Sequence, residues 1–253
     1  MSLYVNDVWI QTLEQIIENG REVSPRGIKT KEFCKTTVVH MNYPVLTIKK
    51  RKLGYKFLAA EAYWILTGDN KVHTIAPYSK AISEYSDDGM TFFGAYGPKF
   101  VDQIGYVIRT LENDPNSRQA VINIWREKPM PTKDVPCTLN VQFTMRDGKL
   151  ECHANMRSSD LWLGWPYDVF NFSMMAQYVA CGLGKGKFNI DLGVLYLHSG
   201  CMHLYEKDFK KAKACIKDPT RFIEPMIYST SQRALITELD GRRKDGGLAD
   251  IKR

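Results

Sequence analysis

The chain has 253 residues, of which 44% are hydrophobic and 25% charged. That length builds one large domain or two small ones around a sizeable core, and the composition excludes a disordered chain, a collagen-like repeat or a disulfide-stapled scaffold. Thirty-five Lys and Arg against 28 Asp and Glu leave a formal charge of +7, a balance that favours a phosphate-bearing partner of some size. No apolar run approaches the roughly 18 residues needed to span a bilayer, and the start MSLYVNDVWIQ lacks the layout of a secretory signal, so the expectation is a cytoplasmic protein with no membrane partner. Cys34, Cys137, Cys152, Cys181, Cys201 and Cys215 show no C-x-x-C and no zinc-ligand spacing; they read as reduced thiols, with no metal site. The basic clusters KKRK at 49–52 and GRRK at 241–244 read as solvated surface. No aromatic-interleaved basic motif accompanies them, so nucleic acid is not the expected partner.

In chain order, no repeat or linker divides the sequence, which predicts a single domain over 1–253 with a Gly-rich charged tail from Gly241. Val5, Val8, Trp9, Leu13, Ile16 and Ile17 recur at helical spacing, and Gly20 stops the run, giving an amphipathic helix over about 4–19. A strand is expected at about 36–40. A second helix carries Leu53, Phe57, Ala60, Trp64 and Leu66 on one face, Glu61 in its middle and Gly68-Asp69-Asn70 at its end. After a strand near 119–125, Leu139, Val141, Phe143 and Met145 alternate with polar residues, and alternation resumes after Asp147-Gly148 with Leu150, Cys152, Ala154 and Met156. That is a hairpin with a two-residue turn. Pairing Arg146 with Lys149 places Phe143 opposite Cys152, Thr138 opposite Arg157 and Cys137 opposite Ser158, unless a bulge shifts the register by one. A cysteine and an arginine thus meet at the open end of the hairpin. Pro166-Tyr167-Asp168 introduces a helix ending at Gly182, with Asp168 readable as its N-cap. A strand near 190–198 and a helix over about 203–215 complete an α+β reading.

Six ordered blocks, EAYWILTGDN at 61–70, YGPKF at 96–100, NDPNSRQ at 113–119, VPCTLNVQF at 135–143, MRSSDLWLGWPYDVFNFS at 156–173 and HLY at 203–205, resemble the thymidylate synthase family over most of the chain. Within it the match looks closest to the phage-type deoxycytidylate hydroxymethylases. The resemblance implies an α+β fold with a large mixed β-sheet flanked by helices, a homodimer formed through that sheet, and 5,10-methylenetetrahydrofolate as cofactor. It also implies transfer of a one-carbon unit to C5 of a pyrimidine nucleotide, beginning with a thiolate adding to C6.

Residue by residue, Cys137 matches the nucleophile, and a nearby Arg157 guanidinium would favour the thiolate. Arg26, Arg118 and Arg157, with Ser158, match phosphate ligands, since a planar fork meets two phosphate oxygens at once; Arg118 lies in the segment that the family donates across its dimer interface. Gln119 departs from the family's paired arginines. Glu61 matches a glutamate that works through water on proton transfers to the ring. His203 and Tyr205 match the pair that bonds the sugar 3′-hydroxyl, and Tyr96 and Asp160 match further active-site positions. Asp168 stands where deoxyuridylate enzymes carry asparagine, and an aspartate sharing one proton suits the amino group and N3 of cytosine. Thr138, where synthases usually have histidine, points the same way. Ile82 and Tyr85 stand where synthases place two tryptophans against the folate; Trp162 and Trp165 read either as compensating for them or as core, and Trp165 and Gly164 join Ile82 and Tyr85 as the cofactor-binding candidates the resemblance implies. The terminal GLADIKR departs from the family's apolar closure. Together these features imply hydroxymethyl transfer to deoxycytidylate, with methylation of deoxycytidylate or deoxyuridylate, or a catalytically silent nucleic-acid-binding relative, as the alternatives.

Overall fold

The structure, a computed structural model, describes residues 3–126, 128, 130–184, 190–223, 225 and 227–246. In chain order these form α1 (Val5–Asn19), β1 (Arg21–Val23), β2 (Thr30–His40), α2 (Tyr55–Leu66), α3 (Val72–Ile75), α4 (Tyr96–Asn113), β3 (Val121–Asn123), β4 (Thr138–Arg146), β5 (Lys149–Asp160), α5 (Trp165–Gly184), β6 (Asp191–Tyr205), α6 (Phe209–Lys217) and α7 (Gln232–Asp245). The strands make one six-stranded sheet in the order β1-β2-β6-β5-β4-β3. Only β5 and β6 pair in parallel. Between them runs α5, the long crossover that a parallel pair requires.

Alternation decides which face of the sheet is covered. Val141, Phe143, Cys152, Ala154, Met156, Leu195 and Leu197 are buried, and the core continues through Val169, Phe172 and Val179 of α5 and Val5, Trp9, Leu13 and Ile16 of α1. Each buried side chain of this size contributes about 1.5–3 kcal/mol relative to exposure. The β4–β5 turn uses Asp147 at φ 50° and Gly148 at φ 74°, the paired left-handed geometry that a two-residue hairpin demands. Arg146 faces Lys149 and Phe143 faces Cys152, as the spacing predicts. Past Asn140 a bulge shifts the register, and Thr138 pairs with Met156 rather than Arg157.

Three expected boundaries are corrected. β6 continues through His203 to Tyr205, because Met202 and Leu204 alternate into the core; helix α6 begins only at Phe209, after a short turn, and not at 203. Asp168 is not an N-cap: α5 starts at Trp165, and Asp160 shapes its entry by accepting the Trp162 and Leu163 N–H groups at 2.8 and 2.9 Å. The charged tail does not begin at Gly241, since α7 runs through it to Asp245, pairing Arg242 with Glu238 and both Arg243 and Lys244 with Asp240. The segment GLADIKR lies outside the described residues. Near the other basic cluster, Lys50 pairs with Asp218 at 2.9 Å, and Arg51 donates twice to the Trp162 carbonyl. Among the described residues no helix is long and apolar enough to cross a membrane.

Candidate active site

Where β4 begins and β5 and β6 end, the sheet opens onto a cavity of about 1230 Å³, closed over by α2, the head of α4 and the first turns of α5. Hairpin register brings Cys137 and Arg157 together at its edge. The Arg157 backbone N–H donates to the Cys137 carbonyl at 2.9 Å, its guanidinium donates to the Pro136 and Val135 carbonyls, and one terminal nitrogen lies 3.8 Å from Cys137 Sγ. Strand alternation aims Ser158 and Asp160 of β5, and His203 and Tyr205 of β6, into the same space. The His203 ring lies 3.4 Å from the Ser158 hydroxyl and edge-on to Tyr205.

Helical periodicity supplies the opposite wall. Glu61 and Trp64 are one turn apart on α2, and Gly164, Asp168 and Asn171 succeed one another around the start of α5. Asn171 donates to Glu61 Oε2 at 2.7 Å. Gly164 lies against the carboxyl, where a Cβ would sit 3.4 Å from Asp168 Oδ2, an ordinary contact distance. Tyr96 opens α4, and its hydroxyl accepts from Thr138 Oγ1 at 2.9 Å. Arg26 sits at the rim with φ 54°, a left-handed backbone followed by Gly27 at φ 76°. Strain of that kind in a non-glycine residue concentrates at functional sites.

Enclosure displaces these groups towards their neutral forms. Burial raises the Glu61 carboxyl to about 7, against the Asn171 hydrogen bond that lowers it. Asp168 is pushed well above the carboxylate range by burial, then by the charges of Glu61 and Asp160. Asp160 is itself raised by burial, although the Leu163 and Trp162 N–H groups and His203 favour its charged form. Tyr96 is held above its ordinary value by burial, Asp168 and Cys137. The Cys137 thiol is raised as well: burial outweighs Arg157, which acts in the expected direction, and Asp168, Asp134 and Asp160 add to the rise. Arg157 thus favours the thiolate as expected, while burial sets the net direction in the free protein.

Of the residues singled out by sequence, Arg26, Glu61, Ile82, Tyr85, Tyr96, Cys137, Arg157, Ser158, Asp160, Gly164, Asp168, His203 and Tyr205 line the one cavity. Three do not. Trp165 is fully buried and its indole N–H donates to Thr37 Oγ1 at 3.0 Å, so it is core and not a cofactor wall; Trp162 is likewise packed on Trp9 and Arg51. Thr138 is fully buried beneath Tyr96, its hydroxyl committed to that ring. Arg118 is exposed outside the cavity, on the loop before β3. Asn171, Trp64 and Asp134 also line the cavity, though none was a candidate from sequence. The first two were findable, standing three residues after Asp168 and Glu61 on helices; Asp134, whose carboxylate accepts the Gly94 N–H at 2.7 Å, carried no local signal.

The pattern that defines the thymidylate synthase family matches residues 7–240. A deoxyuridylate hydroxymethyltransferase of Bacillus phage SP01 is 29% identical over 227 residues, covering 80% of this chain and 57% of that protein. The chain thus spans little more than half the length of this relative.

Proposed function

The chain belongs to the thymidylate synthase family, and from that premise we propose that it transfers a one-carbon unit to C5 of deoxycytidylate, giving the 5-hydroxymethyl nucleotide. The observation that carries the choice of base is the buried Asp168 carboxyl lining the Cys137 cavity, where burial and the charges of Glu61 and Asp160 favour its neutral form. A protonated carboxyl offers one O–H donor and one carbonyl acceptor. Cytosine meets both, because N3 accepts the O–H while the C4 amino group donates to the other oxygen. N3 is a base, so the shared proton stays bound wherever it sits, and transfer to N3 turns the contact into a charge-assisted pair.

The remaining residues divide the work. Cys137 loses its proton and bonds to C6, which leaves C5 nucleophilic; of the charged groups acting on the thiol, Arg157 favours this ionisation. Arg26, Arg157 and Ser158 border the place for the 5′-phosphate, and His203 and Tyr205 the place for the deoxyribose. Glu61, poised near neutrality, takes the C5 proton. Arg118 faces away from its own cavity and is assigned to the phosphate of a second copy in a homodimer formed through the sheet.

Cavity size fits a second ligand beside the nucleotide, since about 1230 Å³ exceeds the roughly 300–1,000 Å³ typical of a single small-molecule site. Methylenetetrahydrofolate supplies the one-carbon unit when bound. Ile82, Tyr85, Trp64 and Phe92 give the cavity an apolar side for its ring, and Gly164 keeps that side clear. Tyr85 is 56% exposed, so the enclosure admits water to the C5 substituent; this supports a hydroxymethyl product, as does the name of the phage relative.

That name specifies deoxyuridylate and supports a second reading, in which the Asp168 O–H donates to O4 and its carbonyl accepts from N3–H. Uracil O4 is a poor base, which ranks this pairing second. A nucleic-acid-binding role has less support, because Arg242, Arg243, Lys244 and Lys50 are paired with carboxylates. Turnover with each nucleotide and methylenetetrahydrofolate, read by product mass, tests the proposal. A higher kcat/KM for deoxyuridylate overturns the base, and dihydrofolate formed in step with product overturns the hydroxymethyl group.

A further inference from the structure

Asn171 is 5% exposed, donates through Nδ2 to Glu61 Oε2 at 2.7 Å, and keeps its Oδ1 buried without a hydrogen-bond partner. Buried polar atoms are nearly always satisfied, so an amide satisfied at one end only requires an explanation. Glu61 offers one. A carboxylate that takes and returns a proton is an acceptor in one state and a donor in the other. A hydroxyl or amide neighbour can serve both states, but a lysine or a second carboxylate cannot serve both while neutralising neither.

The amide of Asn171 presents N–H to the ionised Glu61 as it stands. After half a turn about its terminal bond it presents oxygen to the protonated acid. Because Oδ1 now holds no bond, that turn breaks no acceptor contact. Resting on the reading that Glu61 moves a proton, we infer that Asn171 is a positioning residue that holds Glu61 in one place through both protonation states, turning its amide as the proton comes and goes. The titratable groups that sense Glu61 are Asp168 and Tyr167 on α5, and Tyr96 at the head of α4 senses Asp168 in turn. None of these occupies the Glu61 oxygen that Asn171 holds, so the substitution isolates the amide.

The test is a direct titration. In protein labelled with ¹³C-carboxyl glutamate, the Glu61 resonance is assigned by its loss in Glu61→Gln and followed with pH in wild type and Asn171→Leu. The ionised form loses the stronger hydrogen bond, so the midpoint is expected to rise by about one pH unit. The acid limb of tritium release from C5-labelled deoxycytidylate should rise with it, lowering kcat near neutrality about tenfold while KM stays within about twofold. Asn171→Ala carries the same expectation and serves if the leucine variant does not fold. An unmoved Glu61 midpoint in the folded variant overturns the inference, as does a loss of rate that is equal at every pH. Absence of tritium release from wild type with either nucleotide would instead overturn the proposed function, and the titration would still decide the role of Asn171.

Discussion

Asp168→Asn exchanges two side chains of nearly equal size, so the space that holds the carboxyl beside Gly164 also holds the amide, and the charge and proton are what change. Burial, then Glu61, then Asp160 hold the Asp168 carboxyl well above its ordinary 3.8. Above that value the unfolded chain has released a proton that the folded state keeps, so wild-type stability falls as pH rises towards the folded midpoint. Asparagine has no proton to release and escapes the loss. Each pH unit in that window is worth about 1.4 kcal/mol. The variant is therefore expected to gain stability over wild type as pH rises from 4, read as about 2–4 °C in Tm per kcal/mol for a chain of this size, with the difference closing towards pH 4. Activity moves the other way: losing a matched buried contact costs about 1–3 kcal/mol, so the ratio of kcat/KM for deoxycytidylate over deoxyuridylate should fall about ten- to a hundredfold. Thermal melts across pH and paired substrate kinetics measure the two effects. Wild type that already prefers deoxyuridylate, or a variant with an unchanged ratio, would refute the base assignment; a variant destabilised at pH 8 would refute the electrostatics.

Cys137→Ser is expected to fold and bind nucleotide within a few-fold of wild type while losing turnover by several orders of magnitude, since a serine hydroxyl is a far weaker nucleophile; tritium release and equilibrium dialysis separate the two. Glu61→Gln removes a group whose carboxyl rises from 4.5 to about 7 on folding, so above pH 7 the variant should gain up to about 3 kcal/mol in chemical denaturation, a gain that vanishes below pH 4.5, while tritium release drops about 10²–10⁴-fold. Because burial holds the Cys137 thiol neutral in the free protein, its alkylation by iodoacetamide should accelerate with pH through and beyond 9, and Arg157→Gln should move that rise further up. Saturation at neutral pH would contradict it.

The hairpin was readable because its chemistry is local: Asp147-Gly148 sets the turn, and alternation sets the register as far as Asn140. From Asn140 to Thr138 the pairing depends on a bulge, which no side-chain pattern signals. The short helix over 203–215 was misread for a physical reason. Phe209, Ala212 and Cys215 fall at helical intervals, but Leu204 before them is buried by strand alternation with Met202, and the helical stretch begins only after Asp208. Trp165 illustrates a second limit, because a tryptophan beside a motif looks the same whether it faces a ligand or Thr37. Cys137, Glu61, Asp160, Asp168, His203 and Tyr205 lay within ordered blocks and came together around one cavity, as the resemblance implied. Asn171 was missed although it stands one helical turn beyond Asp168, because motif blocks group residues along the chain and not by helix face.

The same enclosure that gathers these groups sets their charge. Glu61, Asp160, Asp168, Tyr96 and Cys137 are all displaced towards their neutral forms, although the chain as a whole carries +7. Burial is the first cause in every case, and mutual repulsion among the acids reinforces it for Asp168. A wall of neutral acids can donate to a base edge and take back protons without first discharging itself, which a wall of carboxylates cannot do. It also avoids repelling the phosphate of the nucleotide, leaving Arg157 and Arg26 at the rim as the charges that phosphate would meet. Filling the cavity would displace water from Cys137 and draw phosphate towards Arg157, and both changes oppose ionisation of the thiol, the second most strongly when the phosphate takes the Arg157 bonds rather than those of Arg26. How far the thiolate forms in the complex is therefore set by which arginine bonds the phosphate takes, a balance that alkylation protection by a nucleoside against the corresponding nucleotide would read.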